Sequence, residues 1–251
     1  MTLKGKHALV TGGGTGIGLA IARALADQGA KVTITGRRID VLEEAAKGHA
    51  MTPLAMDVAD EASVRDGVAD AVARHGPVQI CVANAGIAEG RALHNTDMEF
   101  WRRMMAINLD GAFLTIRECL SSMVQTDWGR VIGVSSIAGI KGLKGAPCYT
   151  ATKHGLIGLI RGLAADYATK PYTFNALCPA YVDTEIVSSN VTRIMARTGM
   201  SEEAARQVMV GTNPHGRLIA PDEVAEAALW LCSEHSGSVN GQAIQIAGGE
   251  V

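Results

Sequence analysis

One run of eight residues, Thr11-Gly12-Gly13-Gly14-Thr15-Gly16-Ile17-Gly18, constrains this chain more than any other. It follows a short apolar run, His7 to Val10, and opens directly into a helical pattern. Glycine at this density lets the backbone turn tightly and approach a neighbour closely. A strand that ends in such a turn and passes straight into a helix heads a βαβ unit. The rest of the chain must then supply parallel strands and helices to cover them.

The remaining pattern meets that demand. Short β-rich runs are expected as strands over 7–11, 31–35, 54–56, 79–82, 130–135, 173–177 and 243–246. Helical periodicity is expected over 16–28, 38–47, 61–74, 98–123 (long and bent), 149–167 and 222–232. Strand–helix alternation with short connections implies a parallel sheet covered on both faces. Right-handed crossovers make it doubly wound. The expected fold class is therefore α/β, a single Rossmann-type domain over 1–251 with about seven strands. The segment near 187–216 fits the alternation least, and a helical flap beside a ligand site is expected there.

Composition narrows the classes of function. Charged residues are 19% and the formal net charge is -2, which lacks the basic footprint of nucleic-acid binding. The five cysteines are scattered, with no C-x-x-C or His/Cys cluster, so neither a disulfide framework nor a zinc site is expected. The apolar run near the start is too short for a signal peptide. No stretch approaches the ~20 apolar residues of a membrane span. A soluble, cytoplasmic protein is the expectation.

The glycine turn has a direct chemical reading. Free N–H groups at a helix start, with the helix dipole behind them, bind anions. At the first strand-to-helix turn of an alternating chain, that anion is a dinucleotide pyrophosphate. The candidate contacts are Gly12, Gly14, Thr15, Gly16, Ile17 and Gly18. The second strand ends Thr35-Gly36-Arg37-Arg38. NAD sites place a carboxylate there to bond the ribose hydroxyls. Here two guanidiniums stand instead, and an arginine can pair with a 2′-phosphate that a carboxylate would repel. NADP(H) is thus expected over NAD(H), with Arg37 as first choice for the contact. The competing reading of Arg37 and Arg38 is a solvated helix start.

The spacing Thr-Gly-x-x-x-Gly-x-Gly, followed in order by Asn84-Ala85-Gly86, Asn108, Ser136 and Tyr149-x-x-x-Lys153, resembles the short-chain dehydrogenase/reductase family along essentially the whole chain. The resemblance implies an oxidoreductase moving a hydride between NADP(H) and a carbonyl/alcohol pair. It implies Asp57 and Val58 at the adenine and Asn84 and Gly86 along the cofactor. Pro179 would also lie at the cofactor, and Val182 and Thr184 would meet the carboxamide. Asn108, Ser136, Tyr149 and Lys153 are the implied catalytic set.

The residue types suit that chemistry. Tyr149 and Lys153 share a helix face at i, i+4. An ammonium beside a phenol, together with an oxidised nicotinamide, favours tyrosinate and is expected to lower the Tyr149 pKa from about 10. Tyr149 would protonate the developing alkoxide, and Ser136 would hold the carbonyl oxygen. By resemblance, Lys153 also contacts the ribose and Asn108 anchors a water in a proton relay. His154 points about 100° away around the helix and is set aside. Cys148 lacks a base partner, and Asp183 and Glu185 lack metal-ligating neighbours.

The chain departs from the family at Pro179-Ala180, where a glycine is usual. A positive φ there would strain alanine. Ala83 stands where many relatives carry an asparagine. Ser136-Ile137-Ala138-Gly139, Asn213-Pro214-His215-Gly216-Arg217-Leu218 and Gly248-Gly249 resemble reductases of 3-oxoacyl thioesters, on acyl-carrier protein or CoA. Lys141, Lys144, Arg193 and Arg197 would help an anionic carrier dock, or form a solvated face. Ala138 and Ala146 replace the polar pair with which hydroxybutyrate dehydrogenases hold a free carboxylate. Met195, Met200 and Met209 would line an apolar pocket or fill a core. The alternatives are a sugar, steroid or other secondary alcohol as substrate, and a non-catalytic dinucleotide sensor. The intact Asn–Ser–Tyr–Lys set speaks against a sensor. Relatives imply a homotetramer paired through helices 99–123 and 149–167 and the last strand.

Overall fold

The structure, a computed structural model, describes residues 2–250. Its elements in chain order begin β1 (His7–Thr11), α1 (Gly16–Asp27), β2 (Lys31–Gly36), α2 (Ile39–Ala46), β3 (Met51–Ala55), α3 (Glu61–His75) and β4 (Ile80–Ala83). They continue with α4 (Met98–Met105), α5 (Gly111–Met123), β5 (Gly129–Val134), α6 (Pro147–Asp166) and β6 (Tyr172–Pro179). The last are α7 (Glu185–Thr198), α8 (Glu202–Val210), α9 (Pro221–Leu231) and β7 (Ala243–Ile246). Among the described residues the seven strands form one sheet, ordered β3-β2-β1-β4-β5-β6-β7. Every adjacent pair is parallel. The chain runs outward from β1 to β3, returns to the other side of β1 at β4, and runs outward again. The sheet is the expected doubly wound Rossmann arrangement. Its order reverses between β1 and β4, where such sheets open a crevice at the strands' carboxyl ends.

Both faces of the sheet are buried, which explains the near-continuous apolar strands. Ala8 and Val10 of β1 pack with Ile21 and Leu25 of α1, Leu42 of α2 and Val224 of α9. Leu9 points the other way, into a layer with Val68 of α3, Ile116 of α5 and Ile160 of α6. Phe174 on β6 is fully buried in that second layer. Each large side chain so buried contributes about 1.5–3 kcal/mol. Among the described residues no helix is long and apolar enough to cross a membrane.

Two elements differ from the sequence expectation. β3 starts at Met51, ahead of Pro53, because it is an edge strand paired only with β2. Proline's missing N–H is tolerated on such an edge. The long helix expected over 98–123 is interrupted at Ala106–Asp110 by a widened π-type turn, in which the Gly111 N–H reaches the Ala106 carbonyl. The segment near 187–216 forms α7 and α8, which bury Val187, Val191, Ala205 and Met209 against each other.

At the opposite end of the sheet His7 is buried between β1, β2 and α3. Its Nδ1 donates to the Gly76 carbonyl at 2.8 Å, and its Nε2 pairs with the Thr33 hydroxyl at 3.0 Å. Burial holds its pKa down at about 4, and the nearby His75 and Lys31 push the same way. The fold therefore prefers neutral His7, and this stability is fully present above the unfolded value of about 6.5. It is lost as pH falls from there toward the folded value. Urea titrations should show about 3 kcal/mol less stability from this group at pH 4 than at pH 7.5. His7→Gln should remove that part of the acid dependence. An unchanged pH slope in the variant would contradict it.

Candidate active site

The glycine turn joins β1 to α1 through close backbone contacts. Gly12 has φ 64 and Gly16 has φ 54, both in the left-handed region. A Cβ on Gly18 would lie 2.3 Å from the Gly12 carbonyl oxygen and 2.4 Å from the Asn84 Nδ2. Asn84, at the end of β4, donates from that Nδ2 to the carbonyls of Thr11 (2.9 Å) and Gly12 (3.3 Å). The Thr11 hydroxyl accepts from the backbone N–H groups of Asn84 and Ala85, both at 3.0 Å. Thr11 and Asn84 thus sew the ends of β1 and β4 together at the point where the strand order reverses. α1 starts without a side-chain cap or an acidic residue in its first turn. Its first N–H groups are left for an anion.

A cavity of about 230 Å³ opens beside this turn, lined by Gly12, Gly14 and Thr15 on one side. Arg37 and Arg38 line it at the end of β2, and Asp57 and Val58 line it beyond β3. Arg37 is exposed, and among the described residues it makes no ion pair. The Asp57 Oδ1 is used locally, accepting the Ala59 N–H at 3.0 Å. Gly86 and Ile87 line both this cavity and a larger one of about 610 Å³.

The floor of the larger cavity holds Ser136, Tyr149 and Lys153. Ser136 follows β5, and its Oγ accepts the Ala138 N–H at 3.1 Å, capping a short 3₁₀ turn. That leaves its hydroxyl hydrogen free to donate. Pro147 starts α6, so Tyr149 lies in the first turn and Lys153 one turn further. The Lys153 Nζ stands 5.7 Å from the Tyr149 ring centre and donates to the Val134 carbonyl at 2.9 Å. The Ser135 hydroxyl ties the two elements together, donating to the Lys153 carbonyl at 3.1 Å. His154 is exposed on the other side of the helix.

Asn108 lies behind this floor, almost fully buried within the widened turn. Its Nδ2 donates to the Ile87 carbonyl (2.9 Å) and to the Thr152 hydroxyl (3.2 Å), and its Oδ1 accepts the Ile87 N–H at 2.8 Å. A Cβ on Gly86 would sit 3.2 Å from the Asn108 Oδ1 and 3.6 Å from the Lys153 Nζ. Asn108 therefore clips the loop after β4 against α6, with Gly86 as the thin spacer.

The protein's own groups push Tyr149 the opposite way from the sequence expectation. Burial raises its phenol above the ordinary value, and a hydrogen bond with Ser136 only partly opposes that. Burial also acts on Lys153, lowering its pKa to about 8. Desolvation is the largest influence on both groups.

Pro179, Val182 and Thr184 line the larger cavity at the end of β6, and Ile17 faces them from α1. Gly16 packs against Thr184, whose Cγ2 would lie 3.1 Å from a Cβ there. Gly18 is buried beneath the turn and lines neither cavity. Ala180 carries no strain, since among the described residues none but glycines have positive φ. The loop is held by Asn213, whose side chain donates to the carbonyls of Tyr181 (2.9 Å) and Arg217 (2.8 Å) and accepts the Tyr181 N–H. Sequence reasoning missed Asn213, Thr11 and Thr152 as site-building residues. Thr11 and Asn213 both stood in quoted motifs, but the bonds that give Asn213 its role, to Tyr181 and Arg217, show only once the loop is folded.

Other sequence expectations divide. Ala146 lines the larger cavity, while Ala138 is fully buried and does not. Lys144, Arg193 and Arg197 line the cavity, but Lys141 is paired with Glu250. Met209 lines the cavity, and Met200 is exposed. Asp183 pairs with Arg206 of α8 at 2.9 Å. Cys148 is buried with Phe100 and Met104.

A family model described as short chain dehydrogenase matches residues 6–194. The D-beta-hydroxybutyrate dehydrogenase of Cupriavidus necator is 36% identical over 255 residues, covering 99% of each chain. The acetoacetyl-CoA reductase of Rhizobium meliloti is 36% identical over 244 residues, covering 97% of each. A variant of actinorhodin polyketide ketoreductase, crystallised with NADPH, superposes with a TM-score of 0.94 at 32% identity, covering 97% of this chain and 96% of its own.

Proposed function

The chain belongs to the short-chain dehydrogenase family of NAD(P)-binding oxidoreductases acting on CH–OH groups, and from that premise we propose an NADP(H)-dependent enzyme interconverting a ketone and a secondary alcohol, with a 3-oxoacyl thioester as substrate. The observation that carries this reading is the meeting of Ser136, Tyr149 and Lys153 on the floor of one cavity that shares Gly86 and Ile87 with the glycine-turn cavity.

The turn suits a dinucleotide, because its glycines keep the backbone within a distance no Cβ would allow. Gly12, Gly14, Thr15 and Ile17 would hold the pyrophosphate, with Gly16 and Gly18 shaping the cradle. Asp57 and Val58 would flank the adenine, Asn84 and Gly86 the middle, and Pro179, Val182 and Thr184 the carboxamide. When bound, the nicotinamide supplies the hydride. Ser136 donates a hydrogen bond to the substrate's carbonyl oxygen. Tyr149 gives its proton to that oxygen in the reductive direction and takes one from the alcohol in the other. A phenol kept protonated by burial suits the first role, and such a positioned acid contributes about 10²–10⁴-fold. Lys153 holds the ribose and replenishes the Tyr149 proton. Asn108 acts as a positioning residue through Ile87 and Thr152.

The NADP(H) preference rests on Arg37. An arginine–phosphate pair of about 1.5–3 kcal/mol corresponds to about 10–100-fold in affinity. With acetoacetyl-CoA as substrate, Arg37→Glu should lower kcat/KM for NADPH by that factor and leave NADH within a few-fold. An equal loss for both, or a wild-type preference for NADH, would overturn the assignment.

A dehydrogenase of a small secondary alcohol is the second reading, favoured by the full-length likeness to a D-beta-hydroxybutyrate dehydrogenase. Of the two alanines that argued against a free carboxylate, only Ala146 faces the cavity. We also propose a cytoplasmic homotetramer. Phe113 is exposed on α5, and Gly158 and Gly162 on α6 have open space before them. A monomeric mass in light scattering would contradict it.

A further inference from the structure

We infer that Glu250 and Lys141 are positioning residues of the active site, because their ion pair straps the tail after β7 to the loop that forms one wall of the larger cavity. The inference rests on the thioester reading above for its kinetic readout alone.

The strapped loop is lightly held by its own residues. It runs from the 3₁₀ turn capped by Ser136 to Pro147 at the start of α6. Leu143, Lys144, Gly145 and Ala146 within it line the cavity. Gly142 and Gly145 are exposed, and a Cβ on either would meet nothing within 4 Å. Its backbone tethers include the Lys141 N–H to the Ile137 carbonyl at 3.0 Å and the Leu143 N–H to the Thr150 hydroxyl at 3.3 Å. Lys141 stands between the turn and the cavity wall, and its side chain reaches Glu250, 109 positions away.

The tail is shaped to meet it. The Ala180 N–H donates to the Ile246 carbonyl at 3.0 Å, at the end of β7. Gly248 and Gly249 follow with φ 61 and φ 95, both left-handed. A Cβ on Gly248 would lie 2.5 Å from the His215 ring. The Glu250 N–H then donates back to the Ala247 carbonyl at 3.2 Å, which closes the turn. The pair that results is the most buried ion pair among the described residues, its side chains 35% and 17% exposed. Salt screens such a pair less than an exposed one. The Glu250 Oε2 is buried and among the described residues has no hydrogen-bond partner, so Lys141 is the one counter-ion of this carboxylate.

The pair also acts on Tyr181, which lines the cavity and packs with the α7–α8 core. Burial raises the Tyr181 phenol above its ordinary value and Glu250 raises it further, while Lys141 and a hydrogen bond with Thr212 oppose them. Thr212 follows α8, and its hydroxyl donates to the Met209 carbonyl. Four segments thus meet behind the cavity wall: the loop after Ser136, the tail, the loop after β6 and the end of α8. Cutting the strap frees the wall against which the substrate rests. It leaves Tyr149 and Lys153 in place on α6. The loss should therefore fall on KM and spare kcat. The alternative is an ion pair that only adds stability.

Glu250→Gln and Lys141→Met should each raise KM for acetoacetyl-CoA about fivefold, the equivalent of about 1 kcal/mol. In both, kcat at saturating NADPH and the affinity for NADPH should stay within about twofold. Lys141→Arg keeps the charge and the reach, so its KM should stay within about twofold of wild type. A lower melting temperature with an unchanged KM would leave the pair a structural role alone and overturn the positioning role. Equal KM values in Lys141→Met and Lys141→Arg would overturn it as well. Amide exchange in the NADPH-bound protein reads the strap without turnover. The Leu143 and Ala146 amides should exchange about fivefold faster in Glu250→Gln, while those of β1 and β5 hold their rates. Unchanged exchange at Leu143 and Ala146 would overturn the strap itself. No turnover of acetoacetyl-CoA by wild type would overturn the thioester reading, and exchange would still decide the strap.

Discussion

Tyr149→Phe is expected to lower kcat about 10³-fold while leaving NADPH affinity within about twofold. The substitution removes only the phenol oxygen, so the ring still fills its place beside Phe100, Met104 and Cys148. The Ser136 hydroxyl still reaches the carbonyl oxygen, which is why a residue of activity is expected. What is lost is the proton donor, and no other titratable group on that floor replaces it. Lys153 points its Nζ at the Val134 carbonyl, 5.7 Å from the Tyr149 ring centre, and in this account passes its proton through the phenol oxygen that the variant lacks. Stopped-flow loss of nicotinamide absorbance gives the rate, and quenching of protein fluorescence gives the affinity. A variant that keeps most of its kcat would remove Tyr149 from the chemistry.

Gly18→Ala should have the opposite signature, a loss of dinucleotide binding ahead of any loss in chemistry. Its Cβ would fall 2.3 Å from a backbone carbonyl oxygen, and a backbone atom cannot swing away as a side chain can. The first turn of α1 would have to move off the glycine turn, opening the cradle and breaking the Asn84 bonds to Thr11 and Gly12. Overpacking of this kind costs about 1–3 kcal/mol in stability. The affinity for NADPH should fall at least about 100-fold, because the N–H groups no longer converge. Gly142→Ala is the matched control, since a Cβ there meets nothing within 4 Å. Equal NADPH affinity in the Gly18 variant and wild type would mean that the turn is not the cofactor cradle.

What could be read from the sequence was what local chemistry dictates. The glycine turn declares itself because only glycine tolerates φ 64 at Gly12 and the close approach at Gly18. The alternation of strands and helices follows from faces that must be buried. What could not be read was set by tertiary contacts. The start of β3 was hidden by Pro53, which reads as a breaker until the strand is known to lie on an edge. The widened turn that buries Asn108 gives no periodic signal, because its partners Ile87 and Thr152 are 21 and 44 residues away. The direction of the Tyr149 shift depends on burial, which spacing to Lys153 cannot reveal. Lys141 looked like its neighbour Lys144 until Glu250, distant in sequence, took it out of the site.

The central claim is that this floor reduces a 3-oxoacyl thioester with NADPH. Its most direct test is a stoichiometric one: acetoacetyl-CoA and limiting NADPH, with 3-hydroxybutyryl-CoA quantified against the loss of reduced-nicotinamide absorbance. The account predicts one hydroxyacyl thioester formed per NADPH consumed, at a rate lowered about 10³-fold by Tyr149→Phe. NADPH that binds but is not consumed in the presence of the thioester would contradict it.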